Sequence, residues 1–118
     1  MEYTYSGFEN IISAEHLQKG ETVKVIGIGN SMTPILKSKQ PVICTPVTKD
    51  TILNKRDIVL CKLNGHFYLH LIHAIRNDKT YLIGNNHGHM NGWVNKNNIL
   101  VLLQKFCSGR NHFYFIKI

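Results

Sequence analysis

The chain is short of acidic residues, of long apolar runs and of cysteine, and each shortage removes a class of function. Seven Asp and Glu stand against 14 Lys and Arg, which gives a formal net charge of +7. That balance favours acidic partners or nucleic acid through long-range electrostatics. The basic residues are spread along the chain, however, with no dense block and no recognisable nucleic-acid motif, so a nucleic-acid partner rests on charge alone. No stretch approaches the roughly 20 apolar residues that span a bilayer, and no membrane span is expected. The first residues, MEYTYSGFEN, lack the basic and apolar regions of a cleavable signal peptide. Three cysteines, Cys44, Cys61 and Cys107, make an odd number without metal-type spacing, and Cys61 sits in an apolar run like a small core residue. A reducing, cytoplasmic setting follows as the expectation. The 118 residues, 43% of them hydrophobic, suffice for one domain with a real core.

What is present reads as mainly β structure. Residues 8–19, FENIISAEHLQK, space their apolar residues as a short helix that Gly20 can end, so residues 1–20 form an N-terminal helical segment and 21–118 the β domain. ETVKVIGIG carries β-branched residues in a strand that runs into Gly27-Ile28-Gly29. Pro34 suits the first turn of a second short helix. PVICTPV (41–47), DIVLCKL (57–63), HFYLHLIHAI (66–75) and TYLIG (80–84) read as strands, and Asn64-Gly65 is the hairpin turn that joins the middle two. NNHGHMNGW reads as a loop. NILVLLQKF reads as a closing strand or a helix, and HFYFIKI as a last strand.

Three groups of residues carry possible chemistry. The turn GIGNSMTPIL presents Ser31 after a glycine-loosened strand end, with free backbone N–H groups that suit an oxyanion. A serine hydroxyl needs an adjacent base to act as a nucleophile, and the commoner reading of Ser31 or Asn30 is a plain turn cap. His66, His70 and His73, followed by His87 and His89, contain no completed zinc set; by strict alternation His66 and His70 share a strand face and His73 takes the other. No metal and no cofactor is expected. The amides of GNNHGHMNGW can orient a base or simply stabilise turns.

Four segments also occur in a telling order: GNSMTPIL, RDIVLCKLNG, FYLHLIHAI and YLIGNNHGHMNGWV. In that order they resemble the boxes of the signal peptidase and LexA/UmuD-like serine peptidases. The first resembles the Ser-Met-x-Pro box, and the second the Gly-Asp-φ-Val strand with Arg56 in the glycine position. The third resembles the strand that supplies the general base, and the fourth the Gly-Asp-Asn box. The resemblance covers residues 21–103 and implies a small β-rich domain of partly open, barrel-like sheets. It implies Ser31 as nucleophile and His70 as base, since Leu69-His70-Leu71-Ile72 overlays Val-His-Arg-φ. Asn85, Asn91 and Asn30 take orienting or oxyanion positions, and Met32 and Pro34 line a substrate groove. Most bacterial members place lysine where His70 stands; the histidine form is similar to the archaeal and endoplasmic-reticulum signal peptidases. A histidine, with an ordinary pKa of about 6.5, is already largely neutral at neutral pH. Two positions depart from the pattern: Asn85 replaces the aspartate of its box, and Leu71 replaces the arginine after the base.

Two functions follow. One is a serine endopeptidase that cleaves an extended peptide by acyl transfer through a Ser31–His70 dyad, with Asn85 or Asn91 orienting His70. The other is an inactive protein of the same fold, of phage or mobile-element type, that binds or inhibits a host protein. No Ala-Gly or Cys-Gly pair for self-cleavage lies in residues 1–26, and no helix-turn-helix domain or membrane anchor is apparent in the chain.

Overall fold

The computed structural model describes residues 4–5, 22–106 and 114–117, with residues 4–5, 105–106 and 114–117 as backbone alone. Among the described residues nine strands run in chain order as β1 (Thr4–Tyr5), β2 (Val23–Ile28), β3 (Pro41–Pro46), β4 (Ile58–Leu63), β5 (His66–Ile75), β6 (Thr80–Gly84), β7 (Met90–Asn95), β8 (Ile99–Phe106) and β9 (Tyr114–Lys117). They form one sheet in the order β1-β9-β2-β3-β8-β4-β5-β6-β7. The strand β9 pairs parallel with β1 and β2, and the other pairs are antiparallel. The fold is therefore mainly β, as the sequence implies. The only helical element among the described residues is a single 3-10 turn, Lys96–Asn98. The helix expected over 8–19 lies outside the described residues.

The strands expected from β-branched runs and turn residues form within a residue or two of their expected bounds, and the stretch open to either reading becomes β8. Asn64 and Gly65 take φ of 51° and 81°, the mirror-image turn whose twist matches a two-residue hairpin. Two expectations need correction. No helix forms at Pro34: residues 31–36 make successive turns, with the Leu36 N–H donating to Met32 O at 2.9 Å and a cis Thr33-Pro34 peptide. The second half of the expected 85–93 loop is β7. Asn91 and Gly92 have little strand propensity, but pairing with β6 decides their conformation. At Gly92 (φ 142°) an added Cβ would stand 3.3 Å from the Leu63 side chain, so the missing side chain lets β7 pack closely over the end of β4.

The core has two parts that meet at β4. One contains Val23, Val25, Met32, Leu36, Val42, Ile58, Leu60, Leu69 and Leu71; the other contains Val59, Cys61, Ile72, Tyr81, Ile83 and Val94. Successive residues of β4 thus serve opposite cores, which is why IVLC reads as a continuous apolar run. Burial pushes the Cys61 thiol up to about 12, so it remains a protonated core side chain. In β5, Leu69 and Leu71 face the first core and Ile72 the second. The β5–β6 register then shifts between Ile72 and Ala74. Past that bulge Ile75 packs on the second core, where strict alternation from Leu71 would send it to the first. His73 is the extra residue of that bulge, and its charge acts on His70.

Arg56 occupies the left-handed region, with φ of 73°, and its N–H donates to Ile72 O at 2.8 Å. This is the position where the family pattern has glycine, and the backbone explains the preference: a Cβ is disfavoured there. Arg56→Gly should therefore raise stability by roughly 0.5–1 kcal/mol, the gain in φ being partly offset by the freer unfolded chain. Urea unfolding checks this as a higher midpoint at unchanged slope, with Arg56→Ala, which keeps its Cβ, giving no gain.

Candidate active site

The serine turn is fixed at its base before any side chain is considered. Beyond β2, Gly29 takes φ of 135°, which a side chain would disfavour. Its N–H donates to Ser38 Oγ at 3.0 Å, and the Lys39 N–H donates to Gly27 O at 2.7 Å, closing the 29–39 loop on itself. Met32 and Leu36 are completely buried in the first core. Each such side chain contributes about 1.5–3 kcal/mol by leaving water, and together they pin the turn from beneath. Met32 was expected along a substrate groove; it instead belongs to the core and has no surface to offer a ligand. Pro34 is exposed.

Ser31, beside the buried Met32, directs its hydroxyl to β5. His70 Nε2 lies 3.2 Å from Ser31 Oγ, and His70 Nδ1 lies 2.8 Å from Asn91 Oδ1. An amide oxygen only accepts, so Nδ1 carries the proton and donates to Asn91. The lone pair of Nε2 is then left to accept the Ser31 hydroxyl, which is the tautomer a general base requires. Asn91 belongs to β7, which β6 separates from β5 in the sheet order, so the curl of the sheet is what brings it to His70.

His70 is only 7% exposed, the one buried polar side chain among the described residues. Burial is the largest influence on it and lowers its pKa below the usual histidine value. The bond to Asn91 works the other way, and the nearby charges of His89 and His73 lower it further. The Tyr68 ring flanks it, with centroids 5.4 Å apart. His70 is accordingly a neutral imidazole at neutral pH.

The asparagine-rich loop between β6 and β7 contributes otherwise than Asn85's position in the box suggested. Asn85 makes no bond to His70. Its Oδ1 accepts the N–H groups of His87 at 2.8 Å and His89 at 3.0 Å, and its own N–H donates to His89 O at 2.9 Å. The carbonyl of Asn85 accepts Nε2–H of His73 at 2.8 Å. Asn30 is exposed and contributes its carbonyl, which accepts the Thr33 N–H and hydroxyl and Nε2–H of His87. Asn86, which the sequence reading passed over, donates its N–H to Ser31 O at 2.9 Å and Nδ2–H to Thr33 O at 2.8 Å. Its place after Asn85 in the Gly-Asp-Asn box was the available signal. The N–H of Ser31 donates to no group among the described residues.

Two depressions of about 480 and 400 Å³ share Lys49 and Lys96 as walls, and none of Ser31, His70 and Asn91 lines either. Among the described residues, no three His, Cys, Asp or Glu side chains converge as metal ligands, and no helix is long and apolar enough to cross a membrane. The family model described as Peptidase S24-like matches residues 5–102. No curated protein matches the chain significantly.

Two outcomes follow. The His70 ring should titrate with a midpoint below the ordinary value of about 6.5, read from its C–H resonances. Since the unfolded chain takes up that proton more readily, stability is retained above the ordinary value and lost as pH falls through it toward the lower folded one. At Asn85 the two accepted bonds ask only for an oxygen. Asn85→Asp should preserve the melting temperature, whereas Asn85→Ala should cost on the order of 1–2 kcal/mol.

Proposed function

The chain belongs to the Peptidase S24-like family, and on that footing we propose that it is a serine endopeptidase acting through Ser31 and His70. The observation that carries this reading is the pair of hydrogen bonds that leaves Nε2 of His70 unprotonated beside the Ser31 hydroxyl. Ser31 Oγ attacks the scissile carbonyl carbon as its proton passes to Nε2. The resulting imidazolium keeps its Nδ1–H bond to Asn91 Oδ1. The N–H of Ser31 donates to the oxyanion of the tetrahedral intermediate. Collapse of the intermediate breaks the C–N bond, and His70 returns the proton to the leaving amine. Water, deprotonated by the same nitrogen, then hydrolyses the acyl-enzyme.

The substrate in this reading is an extended peptide with a small residue at the cleavage site. β7 ends the sheet order, so its outer edge has no strand partner among the described residues and can take up a peptide by strand addition. The same strand carries Asn91, which places such an edge next to the base.

Asn91 supports a second reading, a binding module on the same fold. A neutral amide orients the imidazole, but it stabilises the imidazolium less than a carboxylate does; amide replacement of the triad acid in serine proteases lowers turnover by about four orders of magnitude. A fluorophosphonate serine probe separates the two. Labelling of the native protein that vanishes in Ser31→Ala and falls in His70→Ala and Asn91→Ala supports the peptidase. Asn91→Asp should label at least about tenfold faster, since it supplies the missing charge. An unlabelled native protein together with an unlabelled Asn91→Asp would leave the binding module as the surviving reading.

A further inference from the structure

We propose that the loop of residues 85–89 is a latch on the nucleophile turn, with Asn86 and His87 as positioning residues for Ser31; this rests on the serine-peptidase reading of the site. The turn is closed at its base and anchored by Met32 and Leu36, but around Ser31 its own polar ties are few. Apart from the Leu36 bond to Met32 O, its internal ties are the Thr33 N–H and hydroxyl on Asn30 O, at 3.3 and 3.0 Å, with Asn30 and Pro34 exposed. The loop adds four contacts from far along the chain, one of them between His87 Nε2 and Thr33 Oγ1 at 3.1 Å. Nε2–H of His87 donates to Asn30 O at 3.0 Å, the Asn86 N–H to Ser31 O at 2.9 Å, and Nδ2–H of Asn86 to Thr33 O at 2.8 Å.

Their value lies in which peptide planes they hold. A peptide unit is planar and trans, so the direction of a C=O also fixes that of the N–H on the next residue. The bond to Asn30 O therefore sets where the Ser31 N–H points, and the bond to Ser31 O sets the Met32 N–H. Both planes that flank the Ser31 Cα are held from the loop. With backbone rotation at Ser31 fixed, χ1 alone directs Oγ toward His70. The oxyanion donor and the nucleophile are thus aligned by one device, and the chemistry asks for such prior alignment.

The latch is tied to the same strand as the base. Asn85 folds the loop by accepting the His87 and His89 N–H groups, and its carbonyl is held by His73. His73 is the extra residue of the β5 bulge. At Gly84 an added Cβ would stand 2.6 Å from His89 O and 2.8 Å from Met90 Sδ, so the loop returns over a position that admits no side chain. The latch is a fixed support.

The test uses the whole chain, with the fluorophosphonate probe read as maximal labelling rate, labelled fraction and melting temperature. His87→Ala should slow maximal labelling about tenfold while the labelled fraction still reaches completion and the probe's half-saturating concentration holds. His87→Gln, whose amide N–H can reach Asn30 O, should recover most of that rate. Asn86→Ala should slow labelling in the same way. A His87→Ala protein that labels at the native rate, or whose labelled fraction merely falls with its folded fraction, overturns the latch. The order parameters of the Ser31 and Met32 amides provide a readout independent of activity. They should fall in His87→Ala while those of β5 hold, and unchanged values overturn the latch. If neither the native protein nor Asn91→Asp is labelled, the peptidase reading fails and these amide measurements alone decide the latch.

Discussion

The bond from His70 Nδ1–H to Asn91 Oδ1 depends on the sheet curling, because β6 lies between the two strands that carry the partners. That curl is bought at β4, whose successive residues are buried on both faces, and at Gly92, where β7 approaches Leu63 closely. A flat sheet would keep Asn91 a strand's width too far away. With the bond made, the tautomer of His70 is set, and with the tautomer the direction of proton flow from Ser31 in the proposed reaction. Packing in the second core therefore decides an acid–base property at its margin.

The acid expected in the Gly-Asp-Asn box loses importance once the work of Asn85 is clear. An amide oxygen and a carboxylate oxygen both accept two backbone N–H groups, so the loop folds with either. The charge question moves to Asn91, which touches the imidazole. Chemistry at position 85 concerns the shape of the loop, while chemistry at position 91 concerns the stability of a charged intermediate.

Much of the sheet was legible because its determinants are local: β-branched runs, the Asn64-Gly65 turn, and the apolar continuity of 58–61. Ser31 and His70 were legible through the order of four segments, each placed on an element that could be read separately. What escaped the sequence depends on contacts distant in the chain. Near its start β7 carries Asn91 and Gly92, which favour turns, and they join the strand only because β6 and Leu63 receive them. The bulge after Ile72, which breaks strict alternation at His73, has no composition signal. Met32 looked like a groove residue from its box, yet a large apolar side chain behind an exposed turn is captured by the nearest core. The choice between Asn85 and Asn91 as the partner of His70 required knowledge of how far the loop extends, and β7 begins at Met90.

Burial of His70 has opposing consequences for the proposed chemistry, and magnitudes decide between them. Near neutral pH an ordinary histidine is already mostly unprotonated, so lowering its pKa gains little free base. Each unit of lowering nevertheless makes the imidazolium about 1.4 kcal/mol harder to form, and that ion must form as Ser31 attacks. The bond to Asn91 returns part of this, whereas His73 and His89 oppose it. What burial provides is position: an imidazole wedged beside Tyr68 and held at both nitrogens loses little freedom on meeting a substrate. A site that keeps its geometry while withholding its counter-charge favours alignment over basicity, and in the proposed reaction its speed is governed by the single amide at position 91.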